Sequence, residues 1–111
     1  MAQNRVVRGV ATTISLTTNE IGVTYHNTLV AHVRRDTEGS SYVKLNNGGY
    51  MTATTKLRMN QFANDYCGGT FSVYQRKGDW FVAIEGVDRH FTFEGGKTAF
   101  YIPTDKVRYS R

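Results

Sequence analysis

The chain has 111 residues, of which 40% are hydrophobic, and its 13% of aromatic residues include seven Tyr and six Phe. This composition excludes a disordered chain and favours one packed, sheet-rich domain. The formal net charge of +5, from 14 Lys and Arg against 9 Asp and Glu, favours an acidic partner such as nucleic acid or an acidic protein surface.

One cysteine and the lack of a long apolar run indicate the compartment. Cys67 has no second cysteine to pair with, which points to a reducing environment and rules out a cysteine zinc cluster. No apolar stretch approaches the ~18 residues that a membrane span requires, and the N-terminal segment lacks the pattern of a signal peptide. We therefore expect a soluble, intracellular protein with no membrane partner.

The first half of the chain has the alternating pattern of strands. These strands are predicted over residues 5–18, 21–25, 28–34 and 42–45. In the third strand, alternation places Leu29 on the same face as Ala31 and Val33. A loop containing Gly48 and Gly49 then leads to a segment with a different period.

The helical period begins at Thr55 and predicts one amphipathic helix over residues 55–67. Its apolar stripe, at the i, i+3, i+4, i+7 spacing, consists of Met59, Phe62, Ala63 and Tyr66. Thr54 is the predicted N-cap, because a threonine hydroxyl accepts a hydrogen bond from an N–H of the first turn. Gly68 and Gly69 supply the left-handed backbone at which helices end.

The last third of the chain predicts a meander of antiparallel strands joined by short glycine turns. These strands cover residues 70–76, 79–85, 89–93 and 97–102. The fold class is therefore α+β, with a curved, mainly antiparallel sheet of seven or eight short strands and the helix packed on one face. We expect a single domain over residues 1–111, with an N-terminal strand extension over 1–20 and a basic C-terminal tail over 104–111.

Glycines, threonines and cations cluster at the predicted start of the helix. Glycines allow close backbone approach, hydroxyls donate hydrogen bonds, and cations beside unpaired helix amides attract a phosphate. The candidate phosphate or nucleic-acid site consists of Gly48, Gly49, Tyr50, Thr52, Thr54, Thr55, Lys56 and Arg58, with Tyr50 available to stack on a base. The alternative is purely structural, with the glycines forming a strand-to-helix turn that the threonines cap.

Aromatic residues interleaved with cations mark a second candidate surface, at the hairpin over residues 74–81. Rings exposed on a sheet stack on bases while neighbouring cations hold phosphates. Trp80 shares its strand face with Val82 and Ile84, which places it in the core. The candidate stacking or interaction residues are therefore Tyr74, Arg76, Lys77 and Phe81.

No residue pattern predicts catalysis. His26, His32 and His90 lie in three segments, and none has a second ligand at metal-binding spacing. Cys67 lies at the predicted C-terminal end of the helix, where the helix dipole disfavours a thiolate. We therefore expect no enzyme activity, no cofactor and no metal site.

Two segments resemble a small domain of unknown function that is common in tailed bacteriophage genomes. Residues 45–61 include L-N-N-G-G-Y followed by T-A-T-T-K-L-R-M-N-Q, and residues 71–82 read F-S-V-Y-Q-R-K-G-D-W-F-V. The resemblance covers roughly residues 25–102. It implies a small viral accessory protein in the cytoplasm of the infected bacterium, and such proteins often bind nucleic acid or take over a host enzyme.

Two functions therefore follow from the sequence. The first is non-catalytic binding of DNA, RNA or phosphate groups through the helix N-terminus and its cations. The second is a protein-interaction module that inhibits or redirects a host enzyme or defence complex through an aromatic sheet face or an edge strand. A third, weaker alternative is a homo-oligomer formed by strand addition at residues 10–18.

Overall fold

The computed structural model describes residues 12–49 and 51–110. The strands in this part of the chain are β1 (Thr12–Leu16), β2 (Glu20–Tyr25), β3 (Thr28–Arg35), β4 (Ser40–Asn46), β5 (Phe71–Arg76), β6 (Asp79–Ile84), β7 (Phe91–Thr92) and β8 (Lys97–Pro103). Helix α1 (Ala53–Tyr66) lies between β4 and β5 in sequence, and a short 3-10 helix (Thr104–Lys106) follows β8. The predicted α+β class is confirmed.

The strands divide between two antiparallel sheets. One has five strands in the order β1-β2-β3-β4-β8, and the other has three in the order β5-β6-β7. Strand β8 pairs with β4, so that Phe100 lies opposite Val43. The last strand of the meander thus joins the N-terminal sheet, which divides the expected single sheet in two.

Helix α1 packs against both sheets and completes one core. Its predicted apolar stripe is buried in full, as are Ile21, Val33 and Val43 of the larger sheet and Trp80 and Val82 of the smaller one. The ring centre of Phe71 lies 6.5 Å from that of Phe62 and 5.0 Å from that of Phe100, so Phe71 connects the helix to both sheets. Burial of these apolar side chains supplies the main driving force for the fold.

Helix α1 begins two residues before the predicted position. The N-cap is Thr52 and not Thr54: the Thr52 hydroxyl accepts a hydrogen bond from the backbone N–H of Thr55 at 3.2 Å. Thr52 has the extended backbone of a cap, with φ −103° and ψ 158°, whereas Thr54 already lies in the first turn. The prediction of Thr54 as the cap was therefore wrong.

A β-bulge in β3 changes which side chains reach the core. Val23 pairs with Ala31 but Thr24 pairs with Leu29, which leaves Val30 as an extra residue. The bulge leaves Val30 1% exposed and Leu29 46% exposed. The prediction that Leu29 shares the face of Ala31 was wrong, because strict alternation makes no allowance for a bulge.

The residues after β8 pack against the domain. Val107 and Tyr109 contact the core cluster. The Arg108 N–H donates to the Tyr66 carbonyl at 2.8 Å, and the Ser110 N–H donates to the Thr17 carbonyl at 3.0 Å. Residues 5–11, the first part of the predicted N-terminal strand, lie outside the described residues.

Candidate functional site

In the glycine loop, residues 46–49, the backbone amides of both glycines form hydrogen bonds with side chains of the same loop. The Gly48 N–H donates to Asn46 Oδ1 at 2.9 Å, and the Gly49 N–H donates to Asn47 Oδ1 at 2.8 Å. Both glycines have positive φ angles, 63° and 84°, which only glycine adopts without strain. This geometry is that of a tight strand-to-helix turn whose amides already have partners. Tyr50, the predicted stacking residue of this loop, lies outside the described residues.

The threonines at the start of α1 cap the helix. Thr55 is buried, its N–H donates to the Thr52 hydroxyl, and the two hydroxyl oxygens lie 3.1 Å apart. The Lys56 N–H donates to the Thr52 carbonyl at 3.2 Å, which closes the first turn. Thr54, which is half-buried, adds no cap.

Arg58 is held inside the protein. It is 9% exposed, its Nε donates to Thr12 Oγ1 at 3.2 Å, and its Nη1 donates to Gln61 Oε1 at 3.2 Å. Its guanidinium carbon lies 5.7 Å from the centre of the Tyr25 ring. Arg58 therefore ties α1 to the edge of the five-stranded sheet.

Lys56 points to the other sheet. Its Nζ lies 3.4 Å from Gln75 Oε1 and 5.9 Å from the centre of the Trp80 ring. Two residues along a helix are separated by about 200° of rotation, so Lys56 and Arg58 lie on opposite sides of α1. The structure does not bring the two cations together. A cavity of about 440 Å³ at the helix start has Asn47, Thr52 and Thr55 in its lining but neither cation.

Asn60 gives the same helix a structural contact with β5. Its Nδ2 donates to the Val73 carbonyl at 3.0 Å, and its Oδ1 accepts from the Val73 N–H at 2.8 Å. The side-chain amide thus pairs with the backbone of an edge strand as a neighbouring strand would. In the segment T-T-K-L-R-M-N, the polar residues Thr55, Arg58 and Asn60 therefore all make internal contacts.

The predicted stacking residues, in contrast, lie together on the outer side of the smaller sheet. Tyr74 and Phe81 are directly opposite on β5 and β6, and their rings stack with centres 5.5 Å apart and an interplanar angle of 23°. The Arg76 guanidinium carbon lies 6.0 Å from the Tyr74 ring centre. His90 packs edge-on against Tyr74, and its Nδ1 contacts the Tyr74 hydroxyl. We name these four residues the hairpin surface.

The residues around the hairpin surface agree with the sequence analysis in two respects. Trp80 is buried, which confirms its predicted place in the core. Lys77 is exposed and occupies the turn between β5 and β6 with a φ of 53°. His90 was not among the candidates, because only the fold brings its segment beside β5.

A second aromatic row, which sequence reasoning missed, crosses the outer face of the five-stranded sheet. Arg34, Tyr42 and Tyr101 lie directly opposite one another on β3, β4 and β8. The two tyrosine rings are 4.9 Å apart, and the Arg34 guanidinium carbon lies 5.2 Å from the Tyr42 ring centre. Strand alternation places each residue outside, but the row depends on the register between strands distant in sequence.

Three further findings concern the described part of the chain. Within residues 12–49 and 51–110, no group of three or more His, Cys, Asp or Glu residues is placed to hold a metal ion. Burial raises the pKa of the Cys67 thiol to about 12, so this thiol stays protonated in the folded protein. No helix in this part of the chain has the length and apolar character needed to cross a membrane.

Comparison with known proteins gives one family. A family model described as Kyanoviridae Gp96 protein matches residues 1–100. The matched range includes residues 1–24, which the resemblance based on motifs left out. Neither the curated proteins nor the solved structures contain a match.

Proposed function

The chain belongs to the Kyanoviridae Gp96 family of phage proteins, and we propose that it is a small, non-catalytic accessory protein that binds single-stranded nucleic acid in the cytoplasm of the infected bacterium. The observation that carries this proposal is the stacked pair of Tyr74 and Phe81 on the outer side of β5 and β6. These two rings are half-buried, and Arg76 beside them is exposed.

The ring pair has the chemistry of a stacking platform. A base that stacks on an aromatic side chain gains about 1–3 kcal/mol, and every base offers a flat face for this contact. The Tyr74 and Phe81 rings hold each other, and His90 packs edge-on against Tyr74. Because the rings are already ordered, little side-chain entropy is lost when a base binds.

The cations around the pair are available for phosphates. Arg76, Lys77 and Arg89 are exposed, and within the described residues no ion pair joins any of them to a carboxylate. The exposed carboxylates Asp79 and Asp88 lie in the same part of the fold and weaken the local positive potential. We therefore propose modest affinity that falls steeply with salt concentration, as for other complexes held by phosphate contacts.

The direct test is the affinity of the protein for a short fluorescent oligothymidylate, measured by anisotropy at several salt concentrations. The variant Tyr74→Ala/Phe81→Ala removes both rings, and we expect the affinity of the hairpin surface to fall about tenfold or more, given 1–3 kcal/mol per stacked base. Its melting temperature should change little, because both side chains lie on the outer side of the sheet.

The matched control is Lys106→Glu, a charge reversal of an exposed lysine beside Gly68 at the C-terminal end of α1, which should change affinity by less than about threefold at moderate salt. Two results would contradict the proposal. One is that the wild-type protein does not bind the oligonucleotide even at low salt, and the other is that the ring-deleted variant binds as many oligonucleotides as the wild type and as tightly.

We propose the binding of a host protein as the second candidate function, because two large apolar side chains near the start of α1 face solvent. Leu57 is 50% exposed and Met51 is 49% exposed. Exposed apolar residues of this size are typical anchors of protein interfaces. A single stoichiometric host protein, captured from nuclease-treated lysate by the wild type and lost with Leu57→Asp, would favour this function.

A further inference from the structure

The outer face of the five-stranded sheet, which we name the open sheet face, carries ordered rings. Tyr101 is 54% exposed, and its ring packs beside Tyr42 in the row that begins with Arg34. Asp36 accepts a hydrogen bond from Arg34 Nη1 at 3.1 Å. The neighbouring Asp36 carboxylate raises the pKa of Tyr101. The row is therefore fixed before any ligand arrives.

A groove of about 420 Å³ lies beside this row. Its lining includes Leu29, His32, Lys44, Asn46, Lys97 and Ala99. His32, Lys44 and Ala99 form the next cross-strand row on the same face, two residues from Arg34, Tyr42 and Tyr101. The volume falls within the range of about 300–1,000 Å³ that small-ligand sites have. A base stacked on the tyrosine row therefore has room for a neighbouring nucleotide in the groove.

The face carries both cations and carboxylates. Asp36 is paired with Arg34, Glu20 Oε1 lies 2.8 Å from His32 Nε2, and Glu94 lies opposite Lys97. Lys44 and Lys97 are exposed at the groove, and no ion pair within the described residues involves them. Two such lysines complement the phosphates of a strand whose bases stack on the tyrosines.

The open sheet face and the hairpin surface lie on different sheets. Each sheet turns its buried side chains towards the shared core, so both outer faces point away from that core. The two surfaces meet at one edge, where His90 and Lys97 line the same pocket. We infer that the open sheet face binds a second segment of single-stranded nucleic acid, so that one molecule holds two segments at once. The class of ligand rests on the proposed function. The position of this second site rests instead on the tyrosine row and the groove.

The test is the stoichiometry of binding, measured by titration calorimetry with an oligothymidylate short enough to occupy one surface. The wild type should bind two oligonucleotides, Tyr101→Ala/Lys97→Ala should bind one, and Tyr74→Ala/Phe81→Ala should bind one. The variant Lys44→Glu/Lys97→Glu keeps both tyrosines and should also lose one site. This variant also serves as a control for misfolding: both lysine side chains are exposed, so their replacement leaves the core unchanged.

The outcomes separate the two claims. A wild type that binds one oligonucleotide, with no loss in Tyr101→Ala/Lys97→Ala, overturns the second site and leaves the hairpin surface standing. The wild type could instead bind one oligonucleotide at a site that is lost in Tyr101→Ala/Lys97→Ala and kept in Tyr74→Ala/Phe81→Ala. That result supports binding at the open sheet face and overturns binding at the hairpin surface. Displacement of the oligonucleotide from the open sheet face by polyglutamate at equal charge concentration would overturn base stacking there and favour an acidic protein partner.

Discussion

The start of α1 and the hairpin surface are both candidate binding sites that include an arginine, yet the fold places their side chains in opposite ways. Thr55 and Arg58 are buried with side-chain partners inside the protein. Tyr74 and Phe81 stack on the outer side of a sheet with exposed Arg76 beside them. Residue type therefore identifies a candidate site, whereas the tertiary position decides whether that site is open to a ligand.

The physical reason for the difference lies in the place of the helix. Helix α1 packs against both sheets, so polar side chains on its flanks lose water and need partners. Asn60 satisfies the backbone of Val73, and Arg58 bonds to Thr12 and Gln61. On the outer side of β5 and β6, polar side chains such as Arg76 stay in contact with water and need no partner inside the protein.

The largest expected effect concerns Cys67, which is buried at the C-terminal end of α1. Burial raises its pKa to about 12 from the ordinary 9.0. Because the thiolate is the reactive form, alkylation of the folded protein near pH 8 should be about 1,000-fold slower than alkylation of the unfolded chain. Mass spectrometry after iodoacetamide treatment, with and without denaturant, measures the ratio. Equal rates would show that the C-terminal end of α1 is open.

The next effect concerns Asn60. The substitution Asn60→Ala removes both hydrogen bonds to Val73, and we expect the free energy of unfolding to fall by about 2 kcal/mol. Asn64→Ala, an exposed position on the same helix, is the control and should change stability by less than about 0.5 kcal/mol. Urea denaturation measures both values. Similar stability for the two variants would contradict the structural role of Asn60.

Arg58 gives the sharpest contrast with the hairpin surface. The substitution Arg58→Ala removes bonds to Thr12 and Gln61, and we expect a loss of about 1–2 kcal/mol in unfolding free energy. The folded variant should bind oligothymidylate within about twofold of the wild type, because Arg58 faces inward. A loss of affinity with unchanged stability would instead restore the expected anion site at the helix start.

The smallest effect is the pH dependence of stability. Burial raises the folded-state pKa values of Tyr66, Cys67 and Tyr109, so these groups stay protonated in the folded protein while the unfolded chain releases its protons. The unfolded chain then binds fewer protons, and the free energy of unfolding should fall as the pH rises above about 9. Denaturation at pH 8 and pH 10 measures this change. Stability that increases over this range would contradict the burial of these groups.

The sequence predicted the parts of the fold that depend on local periodicity. The apolar stripe of α1 and the buried position of Trp80 follow from spacing alone, and the structure confirms both. The bulge at Val30 and the pairing of β8 with β4 were missed, because they depend on contacts between strands. For the same reason, the row of Tyr42 and Tyr101 was invisible until the register of the strands was known.

The most direct test of the central claim is a titration of isotopically labelled protein with oligothymidylate, followed by backbone amide signals in nuclear magnetic resonance spectra. The account predicts that the largest shifts occur at Tyr74, Arg76 and Phe81 and on the open sheet face, while residues 52–58 stay unchanged. The largest shifts at residues 52–58, with the hairpin surface unaffected, would contradict it.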